Sequence, residues 1–189
     1  MGFRAQGYSM KIGIDISQIV YEGTGVAQYV RRMVTALLAI DKKNEYVLFG
    51  SSFRRKNEFH TFYNSLPRGR VRLVTVSLPP VILDFLWNRL HIEPIEKFTG
   101  PLDVFWSSDW TQPPLDGAKG VTTIHDLIAL KFPNETDAGI VATHKRRLAW
   151  VKKECAMVLC DSQSTKKDVM ELLNIPGEKL RVVYPGATP

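Results

Sequence analysis

Short apolar runs alternate along this chain with segments whose apolar residues return every three or four positions. Residues 11–16, KIGIDI, form a run closed by the polar Ser17, as a strand buried on both faces reads. After a loop through Gly23 and Gly25, the residues Val26, Val30, Met33, Leu37 and Ile40 fall at helical spacing, with Arg31 and Arg32 directed elsewhere. That spacing predicts an amphipathic helix over residues 26–40. The alternation then repeats, with strands expected at 46–49, 71–76, 104–106, 121–124, 158–160 and 180–184, and helices at 56–64, 82–97, 140–154 and 164–173. Strand and helix in regular turn predict an α/β fold: a doubly wound, mainly parallel Rossmann-like sheet with helices on both faces and right-handed crossovers.

Composition narrows the setting. A length of 189 residues with 44% hydrophobic content suffices for one domain with a continuous core. The two cysteines, Cys155 and Cys160, are too few and too irregularly spaced for a zinc site or a disulfide framework; they read as small buried apolar residues in a reducing cytosol. No stretch approaches the roughly 18 apolar residues of a spanning helix, and the first residues, MGFRAQGYSM, contain no signal-like hydrophobic run. Gln6 stands where a myristoylation signal takes Ser or Thr. Residues 1–9 are expected to be a tag or N-terminal extension, since Met10 immediately precedes the first strand, leaving 10–189 as the domain. The net charge of +6 admits anionic partners without choosing among phosphate, lipid and nucleic acid. The expected location is the cytoplasm, with the inner face of a membrane as a peripheral alternative.

In open sheets of this kind ligands sit beyond the carboxyl ends of the strands, which directs attention to residues 17–25, 107–114, 125–133 and 161–165. Gly23-Thr24-Gly25 precedes the first helix, so backbone amides there either face a phosphate or serve only a turn. A dinucleotide fingerprint is disfavoured: Gln28 occupies the third glycine position, and the second strand ends in Phe49-Gly50 without a ribose-binding acid. His125 follows an apolar run directly, placing an imidazole at a strand's carboxyl edge. There it either meets a sugar hydroxyl and exchanges a proton, or makes a satisfied structural hydrogen bond. Asp126 either orients that ring or caps the following turn. Ser107-Ser108-Asp109-Trp110 brings hydroxyls, a carboxylate and an aromatic face together, a mixture suited to sugars and equally to loop packing. Lys145, Arg146, Arg147, Lys152 and Lys153 cluster on one expected helix, as a contact for anionic lipid or as a solvated face. Ser164-Thr165-Lys166-Lys167-Asp168, introduced by Asp161-Ser162, reads as an N-cap and first turn. There is no P-loop, nucleophile elbow, His/Cys cluster at metal spacing or base-reading aromatic array, so neither a metal nor nucleic acid is expected.

Taken in order, GTGVAQYVRRMVTALL, PLDVFWSSDW, VTTIHDLIALKFP, MVLCDSQSTKKDVMELL and LRVVYPG resemble the N-terminal half of GT-B glycosyltransferases, in particular the large retaining family 4. The resemblance spans about residues 11–186 and departs at Tyr184-Pro185-Gly186, where Asn-Gly is common. It implies an acceptor-side domain facing a donor-binding partner domain, of whose E-x7-E motif and diphosphate-binding cations this sequence holds no counterpart. By the same resemblance, Gly23, Thr24 and Gly25 lie near the donor diphosphate and His125 faces the transferred sugar. Ser107, Asp109, Trp110 and Asp126 then contribute to the acceptor pocket, with a nucleotide sugar as substrate, a glycan or lipid-linked acceptor and no cofactor or metal. The implied activity is sugar transfer to a hydroxyl with retention, in polysaccharide or cell-envelope synthesis, and the 189-residue chain alone is expected to be inactive. The alternative is a stand-alone Rossmann-like module binding a phosphorylated ligand or a protein.

Overall fold

The computed structural model describes residues 9–67 and 69–186. The reading of residues 1–9 as a tag or extension therefore falls, except for Ser9, outside the described residues. The chain begins with β1 (Lys11–Asp15), a 3-10 turn (Ser17–Val20), α1 (Gly25–Ile40), β2 (Glu45–Ser51), α2 (Lys56–Asn64) and β3 (Val71–Val76). It continues through α3 (Pro80–Leu83), which runs into a π-helical segment (Asp84–Leu90), then α4 (Glu96–Thr99), β4 (Val104–Ser107) and β5 (Lys119–Ile124). The last part comprises α5 (Ile128–Lys131), α6 (Ala138–Glu154), β6 (Cys155–Cys160), α7 (Gln163–Leu173), a 3-10 turn (Gly177–Lys179) and β7 (Leu180–Val182).

Among the described residues seven strands form one sheet in the order β3-β2-β1-β4-β5-β6-β7, every pairing parallel. The doubly wound expectation holds, because the chain winds outward from β1 on one side and then returns to continue from β4 on the other. Side-chain alternation divides the core. Ile14, Leu48 and Trp106 face α1 and α2, together with Val30, Val34 and Phe59. Val47, Phe49 and Phe105 face the opposite layer, where Leu83 and Trp87 pack. A further cluster joins Leu148 and Val151 of α6 and Val169 of α7 to β5, β6 and β7. Complete burial of each such side chain contributes about 1.5–3 kcal/mol, so the layers reinforce the register. At the sheet centre Gly13 permits the approach of β1 to its neighbour's side chains: a Cβ there would lie 2.6 Å from Leu102 Cδ1 and 2.7 Å from Phe105 Cδ2.

Local chemistry accounts for the helix starts. The Thr24 hydroxyl accepts Ala27 N–H and caps α1, Asp137 accepts Gly139 and Ile140 N–H to cap α6, and Ser162 accepts Thr165 N–H to cap α7. Two expectations need correction. The continuous helix at 82–97 is broken between Leu90 and Glu96, where His91 and Glu93 adopt φ of 53° and 62° and Pro94 follows. Proline supplies no N–H and restricts the residue before it, so helical periodicity in the apolar positions could not carry the helix through. The last strand ends at Val182, two residues early, ahead of Pro185.

Candidate functional site at the strand-order switch

Chain reversal between β1 and β4 leaves their following loops leaving in opposite directions, and a crevice opens where they part. Asp15 closes β1 and Ser107 closes β4, while α1 enters from the side through Val26 and Tyr29. The floor of the crevice is shared by Asp15, Ser107, Ser108, Asp109 and His125. Gln18, Val26 and Ser108 connect that floor to an adjoining cavity of about 400 Å³. Its other walls include Tyr21, Thr24, Pro80, Leu83 and Trp110. A volume of this size accommodates a small organic ligand.

His125 stands one residue past β5. The register Ile124↔Cys160 brings the next residue of each strand side by side, and His125 Nδ1 lies 2.7 Å from Asp161 Oδ2. The Tyr29 ring meets the imidazole edge to face at 4.9 Å, and the Thr165 hydroxyl donates to the His125 carbonyl at 3.1 Å. In the neutral ring, pairing with a carboxylate puts the proton on Nδ1 and makes Nε2 the acceptor. Among the described residues Nε2 has no hydrogen-bond partner, and the side chain retains 17% exposure. Asp161, introduced by the sequence only as the lead-in to a helix cap, is thus the group that orients the ring. Asp126 is exposed and accepts Ile128 N–H at 3.0 Å, bracing the turn that leads into α5, while the ring is held by Asp161.

The glycine turn lies on the same rim. Gly23 has φ of 82°, and neither Gly23 nor Gly25 has any atom within 4 Å of where a Cβ would stand, so the approach to the N-terminus of α1 is open. Thr24 both caps the helix and lines the larger cavity. Ser107 is less available than its sequence position suggests: its hydroxyl donates to Gln112 Oε1 at 2.7 Å inside the protein. Trp110 lines the cavity and its ring lies 5.1 Å from the His144 ring of α6. Burial, then the nearby Arg147 guanidinium, push the His144 pKa below its ordinary value.

Asp15 was not singled out as a site residue from the sequence, and Arg147 was given a different place. Asp15 is 3% exposed; its Oδ1 accepts Ser17 N–H at 2.8 Å, and burial raises its carboxyl pKa. Arg147, expected on an exposed basic face, is 2% exposed and donates from Nη2 to the Thr122 hydroxyl and the Thr123 carbonyl. Arg146 pairs with Asp84 at 2.9 Å. The reading of five cations on one exposed face is thereby corrected for Arg147: the helix turns it into the sheet, leaving Lys145, Lys152 and Lys153 exposed. Cys155 and Cys160 are free thiols, both buried. Among the described residues no helix is long and apolar enough to cross a membrane, and no group of three or more His, Cys, Asp or Glu side chains gathers as a metal site would.

Fold and rim together define a Rossmann-like α/β domain whose polar groups converge at the β1/β4 switch. Its sequence matches the model of Glycosyltransferase Family 4 over residues 23–189, and the chain belongs to that family. No curated protein sequence matches it. Among solved structures it is similar to a short-chain dehydrogenase from Oenococcus oeni PSU-1, at 10% identity over 94% of this chain and 96% of that one, with a TM-score of 0.41.

Proposed function

We propose that this chain is the acceptor-side domain of a retaining GT-B glycosyltransferase that moves a sugar from a nucleoside diphosphate to an acceptor hydroxyl. The observation that carries the reading is one continuous rim: an oriented imidazole with a free Nε2, the open amino end of α1 and a cavity walled by Trp110. In the reaction the bond between the anomeric carbon and the diphosphate oxygen breaks, and its electron pair leaves with the diphosphate. The acceptor oxygen bonds to the same face of that carbon, and its proton passes to the departing phosphate oxygen. The transition state resembles an oxocarbenium ion, so positioned hydrogen bonds and dipoles do most of the work.

In this arrangement Gly23, Thr24 and Gly25 present the amino end of α1 to the diphosphate, where the helix dipole favours negative charge. His125 Nε2 accepts a hydrogen bond from a hydroxyl of the transferred sugar and fixes its orientation. Trp110 offers an apolar face to the acceptor ring, and Asp109 a carboxylate to its hydroxyls. A partner domain binds the nucleotide and covers the rim. The same reading places the reaction in the cytoplasm, in polysaccharide or cell-envelope glycan synthesis, and requires no metal.

The test uses the protein that carries this domain together with a donor-binding domain, supplied with a panel of UDP- and GDP-sugars. His125→Ala is expected to lower kcat/KM by about 10²-fold or more, the range lost with one positioned polar group. Unchanged kcat/KM would remove His125 from the active site and with it the proposed geometry.

A further inference from the structure

The cavity beside the crevice floor is lined by several hydroxyl side chains, yet these are spent within the protein. Ser17 Oγ accepts Ser51 N–H at 2.9 Å, and Ser51 Oγ donates to the Leu78 carbonyl at 2.7 Å. Thr24 Oγ1 donates to the Tyr21 carbonyl at 2.9 Å and accepts Ala27 N–H at 3.2 Å. The Ser108 and Thr111 hydroxyls meet at 3.2 Å, and Ser108 Oγ also accepts Thr111 N–H at 3.3 Å. What the walls offer a ligand is therefore mostly carbon: the side chains of Val26, Pro80 and Leu83 and the rings of Tyr21 and Trp110. Tyr21 and Trp110 are 45% and 36% exposed, so apolar surface is presented at the opening as well.

Polarity is unevenly distributed around this space. Gln18 contributes the one amide side chain of the lining, and Gln18 and Ser108 stand where the cavity meets the crevice floor, beside Asp109 and His125. Pro80 and Leu83 of α3 line the cavity and not the floor. A bare sugar ring entering such walls gives up water without recovering its hydrogen bonds, whereas a hydrocarbon group is stabilised in proportion to the surface it buries. An apolar cavity of about 150 Å³ takes up one benzene molecule. A volume of about 400 Å³ thus admits roughly two to three such rings or an alkyl chain of similar bulk. We propose that this cavity binds the hydrocarbon part of an amphiphilic acceptor, an alkyl or aryl group whose hydroxyl-bearing head lies toward Gln18 and the crevice floor. The role of the head rests on the sugar-transfer reading; the apolar tail site rests on the walls alone.

The test is titration of the ¹⁵N-labelled chain with ethyl, butyl, hexyl and octyl β-glucosides below their micelle-forming concentrations. Affinity is expected to rise about fourfold per added methylene until the chain fills the cavity, with responding amides at Thr24, Ser51 and Thr111. Pro80→Asp places a charge on the wall at the first position of α3, where an acidic residue suits a helix. Tyr21→Ser removes an exposed ring from the same wall. With Tm unchanged, octyl glucoside affinity should fall about tenfold in Pro80→Asp and about threefold in Tyr21→Ser. An affinity independent of chain length, responses confined to other parts of the chain, no binding of octyl glucoside, or parent affinity in both variants overturns the inference. A flat series, together with turnover that is lost in His125→Ala of the two-domain protein, overturns the tail site and leaves sugar transfer standing. A steep series with turnover intact in His125→Ala keeps the tail site and removes the sugar-transfer reading.

Discussion

Replacing Asn88 by alanine removes the side chain that fastens the π-helical segment to the rim of the site. Asn88 is 2% exposed; its amide donates to Asp84 Oδ1 and to the Trp110 carbonyl, both at 2.9 Å, and its oxygen accepts Gln112 N–H at 3.0 Å. The variant strands the amide of a fully buried Gln112, at roughly 1–3 kcal/mol, and releases the Trp110 carbonyl, which water partly recovers. Asp84 retains Arg146, so little is lost there. Together with the small void left behind, the cost comes to about 2–4 kcal/mol. With a urea slope of about 2 kcal/mol per molar, the unfolding midpoint should fall by about 1–2 M at constant slope. Hydrogen exchange at Gln112 N–H should accelerate in parallel. A loss under about 0.5 kcal/mol, typical of surface changes, would refute the argument that Asn88 anchors Trp110.

Gly13→Ala should destabilise the chain by about 1–3 kcal/mol, since the new Cβ overlaps Leu102 and Phe105; an unchanged Tm would contradict the close packing at the β1/β4 boundary. Burial pushes the Cys155 thiol up to about 12 and the Cys160 thiol up to about 11. Because the raised values favour the protonated thiols in the fold, that stabilisation is complete below the unfolded value, ordinarily near 8.5, and is lost as pH rises through about 11 to 12. Alkylation followed by mass spectrometry at mildly alkaline pH should leave both unmodified until denaturant is added; rapid labelling of the folded chain would contradict it. The Asp41 carboxyl is held well below the usual range, first by the Tyr46 hydroxyl and then by Lys43 N–H. Its contribution to stability is present above the ordinary carboxylate pKa and fades as pH falls through the depressed folded value; Tyr46→Phe should raise that pKa, as carboxyl NMR would show.

The strand-and-helix alternation was legible because a parallel sheet buries its strands on both faces, and apolar runs such as KIGIDI and MVLC announce that directly. The segment 82–97 misled because its apolar spacing is helical, whereas the backbone is decided by Pro94 and by left-handed His91 and Glu93. The rim was legible wherever a chemically active residue directly follows a strand, as His125 and Trp110 nearly do. The companions of His125 were hidden, since a ring orienter on the neighbouring strand is specified by register: Asp161 became visible only through Ile124↔Cys160. Asp15 was concealed in an apolar run, where one acidic residue reads as the strand's end. Arg147 was misassigned because a run of cations suggests one exposed face, while a helix turns successive residues about a hundred degrees apart. His144 carried no local signal; its place beside Trp110 arises from packing of α6 over the β4 loop.

The proposed rim is tested most directly by amide chemical-shift mapping of the ¹⁵N-labelled chain on addition of UDP-glucose, GDP-mannose and methyl glycosides. The account predicts that the responding amides cluster at Gly23, Thr24 and Gly25, around Ser108 to Trp110 and at His125, all beyond the carboxyl ends of the strands. Shifts confined to the opposite end of the sheet, around Lys11, Glu45 and Asp103, would contradict it.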